Sequence, residues 1–127
     1  MKAEDFVARV QESGSLGSRG EALQWSTVVL ASLARVLPDS ATRRHFISQL
    51  PGPLKSRLLD ETPRSLSMNR DAFLQHIGSA LDVHAHAAET ALRVVYGIVK
   101  EAVSPGEIAE LEAHLPKEIA ALLERAA

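Results

Sequence analysis

Cysteine is absent from this 127-residue chain, which excludes a disulfide framework, a thiolate nucleophile and any cysteine-based metal site. Aromatic residues are nearly as scarce, at 4%. Sheets draw heavily on aromatic and β-branched side chains, so this scarcity, beside plentiful alanine, points to an all-α fold of closely packed helices. Long apolar runs are missing too. The least polar stretch, "ALQWSTVVLASLA" from Ala22 to Ala34, is too short to cross a bilayer and reads as a buried helix. The opening "MKAEDFVARV" has acids among its first five residues and no apolar core before a small-residue cleavage site. It is not a secretory signal, and with the lack of cysteine it leads to the expectation of a cytoplasmic protein with no membrane contact.

Strong charge is lacking as well, since the net value is −2. Residues 1–64 hold nine bases against seven acids, and residues 65–127 five bases against nine acids, giving +2 and −4. Such a balance makes nucleic acid an unlikely partner. No Gly-x-Ser-x-Gly elbow and no phosphate-cradling glycine loop occurs, and the expectation is a protein that is not an enzyme.

What the chain does contain is a repeat. "QLPGPLKSRLL" at Gln49 to Leu59 is echoed by "HLPKEIAALL" at His114 to Leu123. Further apolar pairs align at helical spacing: Phe6 with Phe73, Val7 with Leu74, Val10 with Ile77, Ala22 with Ala88, Val29 with Val95, Leu33 with Val99, and Phe46 with Leu111. The expected fold class is therefore all-α, a compact helical bundle of two tandem four-helix repeats with a pseudo-twofold relation. It forms a single domain over residues 1–127, with repeats at about 3–59 and 70–124 and a polar linker, "DETPRSLSMN", at about 60–69.

Each repeat parses into an opener, a buried central helix and two short helices meeting at Leu-Pro. A residue before proline is pushed out of helical geometry, whereas proline suits the first turn of a new helix. The first opener runs from about Ala3 to Glu12 and stops at "SGSLGS", whose glycines suit a helix end. Ser18 with Glu21 and Ser104 with Glu107 read as capping boxes, and Asp39 or Ser40, Asn69 and Asp82 as further caps. The central helix of the second repeat, about His84 to Val103, turns Ala88, Ala91, Leu92, Val95, Ile98 and Val99 inward, and the opener before it Phe73, Leu74, Ile77, Ala80 and Leu81.

The order of a Phe-bearing opener, an alanine-rich central helix, "AVSPGEIAELEAHLP" and a closing "EIAALLE" resembles the bacterial domain-of-unknown-function family numbered twenty-two sixty-seven. The resemblance runs from about Asp5 to Glu124 and is strongest from Ala88 to Leu123. It implies a small helical bacterial protein, found alone or attached to other modules such as nucleotide-sensing ones. It implies no agreed activity, so no functional residue is carried over. Trp25 and Val36 depart from the family pattern.

The polar residues suggest little chemistry. His76, His84 and His86 lack zinc-ligand spacing and read as surface histidines, and His114, before Leu-Pro, as a helix-end cap. Glu107, Glu110, Glu112 and Glu118 read as a solvated stripe, and Arg35, Arg43, Arg44, Lys55, Arg57 and Arg64 as a modest basic patch, so DNA binding would be weak. Trp25 reads as core. No catalytic, cofactor-binding or metal-ligating residue is assigned, and no cofactor. The expected function is a non-enzymatic protein-interaction or regulatory module with a protein partner, self or other, with Leu59, Leu66 and Met68 near the linker as a candidate surface. The alternative is a small-ligand sensor or enzyme with a pocket between the two central helices near Arg93, Tyr96 and Lys100.

Overall fold

The computed structural model describes residues 1–60 and 67–124. Among them the chain forms eight α-helices and no strand: α1 (Ala3–Gly14), α2 (Arg19–Arg35), α3 (Ser40–Ser48), α4 (Gly52–Asp60), α5 (Arg70–Leu81), α6 (Ala85–Ala102), α7 (Pro105–His114) and α8 (Lys117–Glu124). None is long and apolar enough to cross a membrane. Most of the linker, with Leu66 and Arg64, lies outside the described residues.

Helix starts follow local chemistry. A side chain that accepts the third amide of a helix satisfies a donor the helix itself leaves orphaned. Ser18 does this for Glu21, Asp39 for Thr42, Asn69 for Ala72 and Ser104 for Glu107. Asp82 does not. It adopts the left-handed conformation (φ 57°) that ends α5, while His84 caps α6 by accepting the Ala87 amide at its Nδ1. Asp tolerates the left-handed region because its short polar side chain bonds locally, and that conformation lets the Val83 amide close back on the Gly78 carbonyl at 2.8 Å.

The first opener stops by the same device, two residues beyond Glu12. Ser15, rather than a glycine, takes positive φ (52°), and the Leu16 amide returns to the Gln11 carbonyl at 2.9 Å. Gly14 serves space instead of φ, because a Cβ there would stand 3.2 Å from the Trp25 ring. Trp25 itself is half-buried against the core edge rather than inside it. At the second Leu-Pro, Leu115 is extended (ψ 149°) as its proline demands, and the Pro116 carbonyl then accepts the first bonds of α8.

Packing is crossed. α1 lies on both α2 and α6, α5 lies on both α6 and α2, and α2 touches α6. One hydrophobic cluster results, with Phe6, Val29, Leu33, Phe73, Ile77, Leu92, Val95 and Val99 fully buried in it. Each such large side chain contributes about 1.5–3 kcal/mol through removal from water. α3, α4 and α8 close the cluster with Phe46, Ile47, Leu54, Leu58, Ile119 and Leu123. Ala80 is exposed where the sequence pattern turns it inward, and Gly78 holds the buried place instead. The two buried serines of α2 need no partner helix, since Ser26 and Ser32 donate to their own carbonyls at Ala22 (2.8 Å) and Val28 (2.7 Å).

Candidate functional site

α3 and α7 flank a groove of about 240 Å³ whose floor is the C-terminal end of α6. Buried side chains set the rotation of each wall. On α3, Phe46 and Ile47 point into the core, so the adjoining stripe of Thr42, His45 and Gln49 faces the groove. On α7, buried Leu111 does the same for Glu107, Glu110 and His114, which share a face through i, i+3 and i+4 spacing. Val99, Val103, Ile108 and the edges of Phe46 and Leu111 make the floor apolar.

A polar bridge spans the mouth. His45 Nε2 lies 2.6 Å from Glu107 Oε2 and 3.9 Å from Glu110 Oε2, with the three side chains between 30% and 55% exposed. Glu107 therefore spends its carboxylate on α3 instead of returning to the start of its own helix as a capping box would. Glu21 departs from the box as well, accepting the Gly17 amide at 3.3 Å rather than that of Ser18. Asp39, at the head of α3, is held below the usual carboxylate range chiefly by the Thr42 amide it caps, with a smaller contribution from His114. His114 donates from Nδ1 to the Glu110 carbonyl at 2.9 Å when that nitrogen is protonated, the helix-end role its position suggests.

The four glutamates thus do not form one solvated stripe. Glu107 and Glu110 face His45, Glu112 accepts the Tyr96 hydroxyl at 2.7 Å, and Glu118 accepts the Arg70 amide at 3.3 Å. His45 went unconsidered from sequence, and one signal would have exposed it. Thr42, His45, Phe46 and Gln49 stand an offset of 65 residues from Glu107, Glu110, Leu111 and His114, the same offset that aligns the two Leu-Pro junctions.

The other sequence candidates sit elsewhere. His84 and His86 stack with ring centroids 6.3 Å apart, possible because His84 precedes α6 instead of belonging to it. His76 is half-buried, and burial, aided by the Arg35 charge, lowers its pKa. Arg93 pairs with Glu89 at 2.9 Å, and Lys100 lies over the Tyr96 ring at 5.5 Å, so these side chains are engaged along α6. Arg43 donates to the Leu37 carbonyl at 3.3 Å, which ties one arginine of the basic patch to the end of α2. Met68 packs on the core, and Leu59 is 44% exposed.

A family model described as "Uncharacterized conserved protein (DUF2267)" matches residues 3–122, a span that contains both groove walls. No curated protein matches the sequence.

Proposed function

The chain belongs to the DUF2267 family, and from that premise and the geometry of the groove we propose that it is a non-enzymatic interaction or regulatory module that grips a partner protein between α3 and α7. The observation that carries this reading is the groove itself: an apolar floor of about 240 Å³, room for one or two anchoring side chains, under an acidic rim. The matching partner presents an apolar anchor beside a lysine or arginine, which Glu107, Glu110 and the −4 balance of residues 65–127 attract. The same rim repels phosphate, so DNA is disfavoured. Acid–base catalysis works best through groups withdrawn from water, whereas the His45 and Glu107 side chains stand 48% and 30% exposed.

The proposal includes the architecture: one domain of two four-helix repeats, about 3–59 and 70–124, related by a pseudo-twofold axis, in a bacterial cytoplasm. Equivalent positions support it. Among the described residues Ser15 and Asp82 carry the two positive φ values found outside glycine, and Ser18 and His84, then Asp39 and Ser104, cap corresponding helices. Packing about such an axis would bring the corresponding faces of α3 and α7 together, as the 65-residue offset across the groove suggests.

A second reading, a small-ligand sensor, draws on the size of the groove, which approaches that of small-molecule sites. The experiment compares affinity capture from the source cell by the wild type, Ala41→Trp, Glu110→Lys and Ala113→Lys. Ala41 is exposed and lines the groove, so tryptophan fills it without touching the core, and Ala113 is exposed and outside it. The expected result is a protein retained by the wild type and Ala113→Lys and lost by the other two. Equal retention by all four, or recovery of a stoichiometric metabolite in place of a protein, would overturn the reading.

A further inference from the structure

We propose that His45, Glu107 and Glu110 form a site for one divalent first-row transition-metal ion, with zinc the expected occupant. Their ligating atoms, one imidazole nitrogen and two carboxylate oxygens, all lie within 4.8 Å of one another. That mixed donor set suits zinc and its neighbours in the first transition row, which take imidazole nitrogen and carboxylate oxygen together. Ligands about 2.0–2.2 Å from a zinc ion stand roughly 3–3.5 Å from each other. The 2.6 Å contact from His45 to Glu107 must therefore open slightly and the 3.9 Å approach to Glu110 must close. Both adjustments are rotations of exposed or half-buried side chains on helices whose backbones are held by buried Phe46 and Leu111.

Charge argues in the same direction. Two carboxylates three residues apart on α7 face the same histidine ring, at 2.6 Å and 3.9 Å. A divalent ion neutralises both while leaving the imidazole neutral, the form in which it ligates. Three protein ligands from two helices leave one coordination position for water or for a group entering the groove, the open arrangement of a non-structural zinc site. The ion would also tie α3 to α7, stiffening the groove walls. Ion binding is a property of the isolated protein and stands or falls without the docking reading above.

The test begins with chelator-treated protein. Zn²⁺ is titrated in competition with a chromogenic chelator, and Co²⁺ is added separately to record its ligand-field absorption. One equivalent is expected, with a rise in the thermal midpoint as the bound state is drawn off. His45→Ala and Glu110→Gln should each weaken binding by about tenfold or more and abolish the thermal shift, with helical circular dichroism unchanged. His86→Ala should bind as the wild type does. Failure of the wild type to take up ion, equal affinity in His45→Ala, or loss of binding in His86→Ala, which would assign the ion to the stacked His84 and His86 rings, each overturns the site.

Discussion

Alkaline pH probes the interior through one group, because Tyr96 is the chain's single tyrosine. Its ring is fully buried and its hydroxyl donates to Glu112 Oε1 at 2.7 Å. Burial, then the bond to Glu112 and its negative charge, push its ionisation far above the ordinary value of 10.0. Unfolded chains lose the phenolic proton near that ordinary value while the folded protein keeps it. Above it the folded state binds more protons, so stability is intact below about pH 10 and falls as pH rises. If the phenol is still protonated at about pH 12, the unfolded state gains about 2.7 kcal/mol from this residue alone, a large part of a typical 5–15 kcal/mol. Tyr96→Phe should cost about 1 kcal/mol at neutral pH, because half-buried Glu112 can turn to water. Its stability should then decline less steeply, by up to about 1.4 kcal/mol per pH unit. Urea denaturation from pH 7 to about 12 should show the two curves crossing, with near-ultraviolet absorbance reporting no tyrosinate in the folded wild type. Tyrosinate appearing in the native protein at the ordinary value, or curves that stay parallel, would refute the reasoning.

Glycine substitutions should split by environment. At Gly97, inside α6, an added Cβ meets nothing within 4 Å, and Gly97→Ala should raise the denaturation midpoint by an amount worth about 0.5–1 kcal/mol. At Gly78 the same methyl would stand 2.7 Å from the Val83 carbonyl oxygen, and Gly78→Ala should lower stability by about 1–3 kcal/mol despite the same gain in helix propensity. Arg9 and Glu101 link α1 to α6 through side chains 47% and 42% exposed, so a double-mutant cycle should return only a weak coupling that shrinks with added salt. Phe6→Ala and Phe73→Ala, both at fully buried sites, should each cost about 3–5 kcal/mol in chemical denaturation.

Features set by neighbours in sequence were readable before any coordinates. Ser18, Asp39, Asn69 and Ser104 cap the helices they precede because the acceptor and the amide it serves lie three residues apart. The inward faces of the central helices follow from helical spacing, and Val29 and Val95 are both fully buried. Misreadings arise where one residue type suits two local roles. Asp82 fits a helix start and a left-handed helix end equally well, and the tight return of Val83 to Gly78 selects the end. Glycines after Glu12 suggest the turn, yet Gly14 is still helical and lies close beneath Trp25, and Ser15, the next residue, bears the positive φ.

The groove was hidden for a different reason. Local rules give Glu107 a role at the start of its own helix, but His45, 62 residues away, stands 2.6 Å from its carboxylate. Alternative partners are nearly interchangeable in energy, each net bond contributing about 1 kcal/mol, so a ring nitrogen across the groove can take the place of a backbone amide already in contact with water. Such a switch leaves no trace in helix periodicity. It does leave one in the register of the two Leu-Pro junctions, because aligning them places His45 opposite Glu110 and Thr42 opposite Glu107. If duplicated units pack about a shared axis, residues that occupy the same column meet across it. A column holding histidine in one copy and glutamate in the other is then a candidate pair, or a candidate pair of ligands. On the proposed repeat, Thr42 and His45 on one wall and Glu107 and Glu110 on the other are differences between matching positions, and those differences supply the acidic wall and the imidazole.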